Sequence, residues 1–101
     1  GGVEPVINAS VGDTNTRIAF ELIARCGNFF LQGGTEVAIK GRRSDGEKVT
    51  APAYINGSRV YVTLTEGMTA SAGRGRYEVV LTKSGKTMGT ANFILMVEKR
   101  P

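Results

Sequence analysis

Two short stretches gather the residue types from which chemistry is built. Gly12-Asp13-Thr14-Asn15 offers a run of oxygen ligands, and Asp45 and Glu47 flank Gly46. A calcium site needs several converging carboxylates, and the first stretch supplies one. Its composition fits a turn closed by its own aspartate and threonine side chains. Asp45 lies in Ser44-Asp45-Gly46, where aspartate is favoured for a hydrogen bond to its own backbone. The commonest proton carrier near neutral pH is histidine, and the chain has none. Serine, lysine and aspartate occur, but no nucleophile motif frames them. Catalysis is therefore not expected, and neither a metal nor another cofactor is. Cys26 is the sole cysteine, so an internal disulfide is excluded, and it reads as a small apolar side chain near a strand end.

Charge gives a second candidate chemistry. Thirteen Lys and Arg against nine Asp and Glu leave a net charge of +4 and a pI of about 9.6, which invites a nucleic-acid reading. The cations are spread along the chain, with adjacent pairs only at Arg42-Arg43 and Lys99-Arg100. Dispersed cations suit a solvated surface whose edge strands resist aggregation, and a nucleic-acid partner is not expected. No apolar run approaches the roughly 18–20 residues that cross a bilayer, so no membrane partner is expected.

The elements that would position these groups are strands. Runs of alternating apolar and polar residues, each closed by a glycine-bearing turn, predict strands over Val3–Val11, Arg17–Arg25, Glu36–Arg42, Lys48–Ile55, Ser58–Leu64, Arg76–Lys83 and Lys86–Glu98. Pro5 restricts the first to a sheet edge or a bulge. Asn56-Gly57 predicts a type I′ hairpin turn, since both residues tolerate positive φ, and Ser84-Gly85 predicts a second tight hairpin. A loop or a single helical turn is expected over Thr65–Gly75. At 101 residues the chain has the length of one domain. Seven strands with turns every eight to twelve residues give the expected fold class: all-β, an immunoglobulin-like antiparallel β-sandwich. The cysteine–tryptophan–cysteine core of antibody domains is missing. The chain ends at Pro101 directly after a strand, and is read as an excised module of a longer polypeptide.

Alternation also nominates a surface. Ile18, Phe20, Leu22 and Ala24, then Val37 and Ile39, Val60, Val62 and Leu64, Tyr77, Val79 and Leu81, and Ala91, Phe93, Leu95 and Val97 are expected to face inward. That leaves Ile23, Val80, Ile94 and Met96 pointing outward, either as an exposed apolar patch, as scattered surface hydrophobics, or under a cover from the Phe29-Phe30-Leu31 loop. Phe29 and Phe30, before Gly33-Gly34, are candidates for a binding loop or for a plug at the end of the sandwich.

The order of these features carries a resemblance. Gly12-Asp13-Thr14-Asn15 leads into Ile18-Ala19-Phe20-Glu21-Leu22, followed by the Ser44-Asp45-Gly46 turn and Asn56-Gly57-Ser58-Arg59-Val60-Tyr61-Val62. Leu64-Thr65, Tyr77-Glu78-Val79-Val80-Leu81, Thr90-Ala91-Asn92-Phe93 and Val97 come after. Over nearly its whole length the chain resembles the N-terminal domain of the upper baseplate protein (BppU-like) family of tailed phages of Gram-positive hosts. Cys26, the Phe29-Phe30 pair and the basic charge depart from that pattern. The resemblance implies a virion location and a structural attachment domain of a baseplate, tail-fibre or head-fibre protein. It implies other virion subunits as partners and no catalytic residues. Phage appendages are usually symmetric, so a homo-oligomer, a trimer of the full-length protein, is expected. The alternative reading is a carbohydrate-binding immunoglobulin-like module on a surface protein.

Overall fold

Pro52 divides what the sequence presents as one strand. A proline has no N–H to donate to a ladder, and the chain changes sheets there. The computed structural model describes residues 5–14, 17–21, 35–56 and 59–99. They form β1 (Val6–Ser10), β2 (Arg17–Glu21), β3 (Glu36–Arg42), β4 (Lys48–Ala51), β5 (Ala53–Asn56), β6 (Arg59–Thr63), β7 (Gly73–Lys83) and β8 (Lys86–Glu98). Counting β4 and β5 as the expected single strand broken at Pro52 gives seven.

The strands make a five-stranded sheet, in the order β1-β8-β7-β3-β4, and a three-stranded sheet, β2-β6-β5. The two sheets make the all-β sandwich that the alternation predicts, with β8-β7-β3 in one sheet and β2-β6-β5 in the other, as in immunoglobulin-like domains, and β1 on the edge of the larger sheet. One pairing departs from the antiparallel expectation: β1 runs parallel to β8, with Val6 opposite Ile94 and Ser10 opposite Glu98. Pro5 sits just outside this edge strand and its carbonyl accepts the Ile94 N–H at 2.9 Å.

The core lies between the two inner faces. Ile39, Tyr77, Val79, Leu81, Phe93, Leu95 and Val97 come from the larger sheet, Val60 and Val62 from the smaller, and Leu64 and Met68 from the connection after β6. Tyr77 needs room that glycines provide. Its ring stacks on Phe93 with centroids 5.4 Å apart. A Cβ on Gly75 would lie 2.8 Å from the ring, and one on Gly41, directly opposite on β3, 2.6 Å.

Several expectations are corrected. Ala91 keeps the inward direction that its pairing with Val79 dictates, yet it is exposed. β1 flanks β8 only from Ile94 onward, so among the described residues Ala91 lies on an open edge. A bulge at Met88, where Leu81 pairs with Gly89 but Thr82 pairs with Thr87, further loosens that end. β7 starts at Gly73, three residues before the expected Arg76. Asn56 pairs with Arg59, so it closes β5 rather than occupying a positive-φ turn position, and Gly57 lies outside the described residues. Ser84 and Gly85 do adopt φ of 51° and 78°, the left-handed pair that a type I′ turn demands. The connection after β6 contains a single turn. Met68 N–H donates to the Thr65 carbonyl at 3.1 Å and lies 3.3 Å from Thr65 Oγ1, which acts as its cap.

Candidate functional site

The outer face of the five-stranded sheet brings together cations that are far apart in sequence. Because side chains alternate along each strand, Lys48, Arg42 and Arg76 all point outward. Register sets them in one row: Arg42 opposes Lys48 on one side and Arg76 on the other. The next row is Thr50, Lys40, Glu78 and Asn92. These two rows line most of a shallow concavity of about 530 Å³, bordered also by Gly41, Val49 and Tyr77.

Like charges directly opposite one another in a sheet are destabilising. Among the described residues this face has one ion pair, Lys40 Nζ to Glu78 Oε1 at 3.8 Å. Both side chains are well exposed, so the pair contributes about 0–1 kcal/mol. Arg42 Nη1 donates to the Gly46 carbonyl at 2.8 Å, which fixes its head without neutralising it. The face therefore concentrates positive charge.

Among the described residues the apolar candidates do not form one patch. Ile94 is on the outer face, beside Val6 and Arg76, but only 8% exposed and outside the core cluster. It offers little surface to a partner, which corrects the expectation of an exposed side chain. Met96, next to Arg74 and Asn8, is half-buried, and so is Val80, next to Ala38 and Thr90. Val80 and Ile94 are separated by the polar Glu78–Asn92 row. What remains is a strip of Val6, Ile94 and Met96 along β1 and β8, adjoining Arg74 and Arg76. Val6 is 50% exposed. Ile23, Cys26, Phe29 and Phe30 lie outside the described residues.

The two oxygen-rich stretches are structural. The Asp13 carboxylate accepts the Ser10 N–H at 2.9 Å, closing the turn after β1 with its own side chain. Its carbonyl receives the hydroxyl of Thr69, a fully buried residue, at 2.7 Å. Asp45 is gripped by Arg43 through two contacts, 3.1 Å from Nε and 2.9 Å from Nη2. It also accepts the Glu47 N–H and the Ser71 hydroxyl. The Arg43 hydrogen bond and then the Glu47 N–H hold its carboxyl below the usual aspartate range. Arg43 Nη1 reaches the Gly67 carbonyl and Ser44 Oγ the Ala72 carbonyl, so the network ties the β3–β4 turn to the β6–β7 connection. Among the described residues no three His, Cys, Asp or Glu side chains converge as a metal site.

The other sheet carries an aromatic pair. Tyr54 on β5 and Tyr61 on β6 are directly opposite, with centroids 5.0 Å apart and planes 13° from parallel. Tyr54 is 44% exposed. Compared with models of known protein families and with curated proteins, the chain matches none.

Proposed function

We propose that this chain is a structural attachment domain of a tailed-phage or prophage baseplate, tail-fibre or head-fibre protein, held in the virion by contacts with neighbouring subunits. One observation supports it best: exposed Val6 and half-buried Met96, on either side of the covered Ile94, lie beside Arg74 and Arg76 on a face built from hydrogen-bonded strands. Methionine and arginine are enriched at protein interfaces, and a strand-built face needs little ordering when it binds. The resemblance in the order of turns and strands supplies the setting. In the parent protein the domain is an N-terminal module of a homo-oligomer, a trimer. Its role needs no cofactor and no catalytic step.

Peptide mass spectrometry on DNA-containing particles purified after prophage induction tests this. Peptides at the abundance of a structural subunit support the proposal. Their absence from particles, with the protein recovered elsewhere, refutes it. The carbohydrate-binding reading draws on the stacked, part-exposed Tyr54–Tyr61 pair, because aromatic surfaces suit sugar rings. Glycan binding lost on Tyr54→Ala would favour that reading.

A further inference from the structure

We propose that the concavity on the outer face of the five-stranded sheet is a docking cleft for an acidic segment of a partner protein, with Lys48, Arg42, Arg76 and Lys40 receiving its carboxylates. That the partner is a protein rests on the attachment reading above; that the cleft takes anions rests on its own geometry.

Three adjacent strands set Lys48, Arg42 and Arg76 side by side. Neighbouring strands lie about 4.8 Å apart, so the row spans about 10 Å. Among the described residues Glu78 is the carboxylate bordering the concavity, and its ion pair is with Lys40, not with the row. Like charges among the described residues thus stand uncompensated at close range, a cost that an incoming anion removes. Thr50 and Asn92 border the same concavity and add neutral hydrogen-bonding groups beside the cations. Arginine presents a planar fork that binds carboxylates through two parallel bonds.

The lining favours carboxylates on a protein over phosphates on a nucleic acid. Single strands are bound by cations together with aromatic rings on which bases stack. Tyr77, the aromatic residue bordering the concavity, has its ring packed on Phe93 in the core, while Tyr54 and Tyr61 belong to the opposite sheet. A row of about 10 Å also meets few phosphates of a duplex, whose affinity grows with the number neutralised.

The test is a fluorescence titration of the chain with a short labelled oligoglutamate and with a thymidine oligonucleotide of equal charge, at low ionic strength. Oligoglutamate is expected to bind more tightly than the oligonucleotide. Lys48→Gln/Arg76→Gln is expected to weaken it at least about tenfold, against little change for the equal-charge control Lys86→Gln/Lys99→Gln. The cleft variant is expected to melt at or above the wild-type temperature, since it relieves repulsion. No binding, or equal weakening by the control pair, overturns the cleft. Tighter binding of the oligonucleotide overturns the acidic-protein assignment in favour of phosphate. Wild-type chain found in particles but unable to bind oligoglutamate overturns the cleft alone. Oligoglutamate binding intact in a chain absent from particles overturns the attachment reading and leaves the cleft standing.

Discussion

Tyr77 shows how single residues set the limits of this core. Its hydroxyl is buried with no hydrogen-bond partner among the described residues, and burial raises its pKa. Removing that oxygen breaks no bond, so Tyr77→Phe is expected to change stability by less than about 1 kcal/mol in either direction, measured by urea denaturation. Gly75→Ala places a methyl against the same ring, and overpacking of this kind costs about 1–3 kcal/mol. Equal effects from the two substitutions would show that the ring does not sit as described. Ile94 and Met96 make a second contrast. Both point outward, but Ile94 is almost fully covered. Ile94→Asp is expected to lower the melting temperature sharply through an uncompensated buried charge, whereas Met96→Asp leaves a cooperative melt near the wild-type temperature. Alternation in the sequence made the direction of both side chains legible. It did not reveal their burial, because coverage on an outer face depends on which strand lies alongside, and the parallel pairing of β1 had no local signal.

Among the elements, strands were read best where alternation and turn chemistry agreed. β3 and β8 have the expected bounds, and Ser84-Gly85 turns as its residue types demand. The break between β4 and β5 was written in Pro52, but a switch between sheets requires knowing that two sheets compete for one run. The basic row was missed for a related reason. Its members are scattered along the sequence, and only the registers of β4, β3 and β7 unite them. Outward parity at Lys40, Arg42, Lys48 and Arg76, combined with the two antiparallel pairings, was the signal that held it. The Asp45 network gives this scale its prediction. The folded-state pKa of Asp45 is depressed, so its contribution is complete above the ordinary aspartate value of about 3.9 and is lost as pH falls through the lower folded value. The melting-temperature gap between wild type and Asp45→Asn is therefore expected to be flat above about pH 5 and to close in more acidic solution. A gap that persists unchanged to pH 2 would show that the carboxylate's charge plays no part in tying the two connections together.

At the scale of the whole molecule, the described residues form two unequal sheets around one core, and the larger sheet presents a broad outer face, with a basic row across β4, β3 and β7 and a short apolar strip where β1 flanks β8. The fold class was legible because seven alternating runs with glycine-bearing turns have few other ways to bury their apolar sides. The face was not, because it belongs to no single segment. The central claim, attachment to other virion subunits through this face, is tested most directly by the abundance of the chain in purified DNA-containing particles, compared between wild type and Met96→Asp. The account predicts wild-type chain at the level of a structural subunit and a marked depletion of the folded Met96→Asp variant. Particles that lack the wild-type chain, or that incorporate both forms equally, would contradict it.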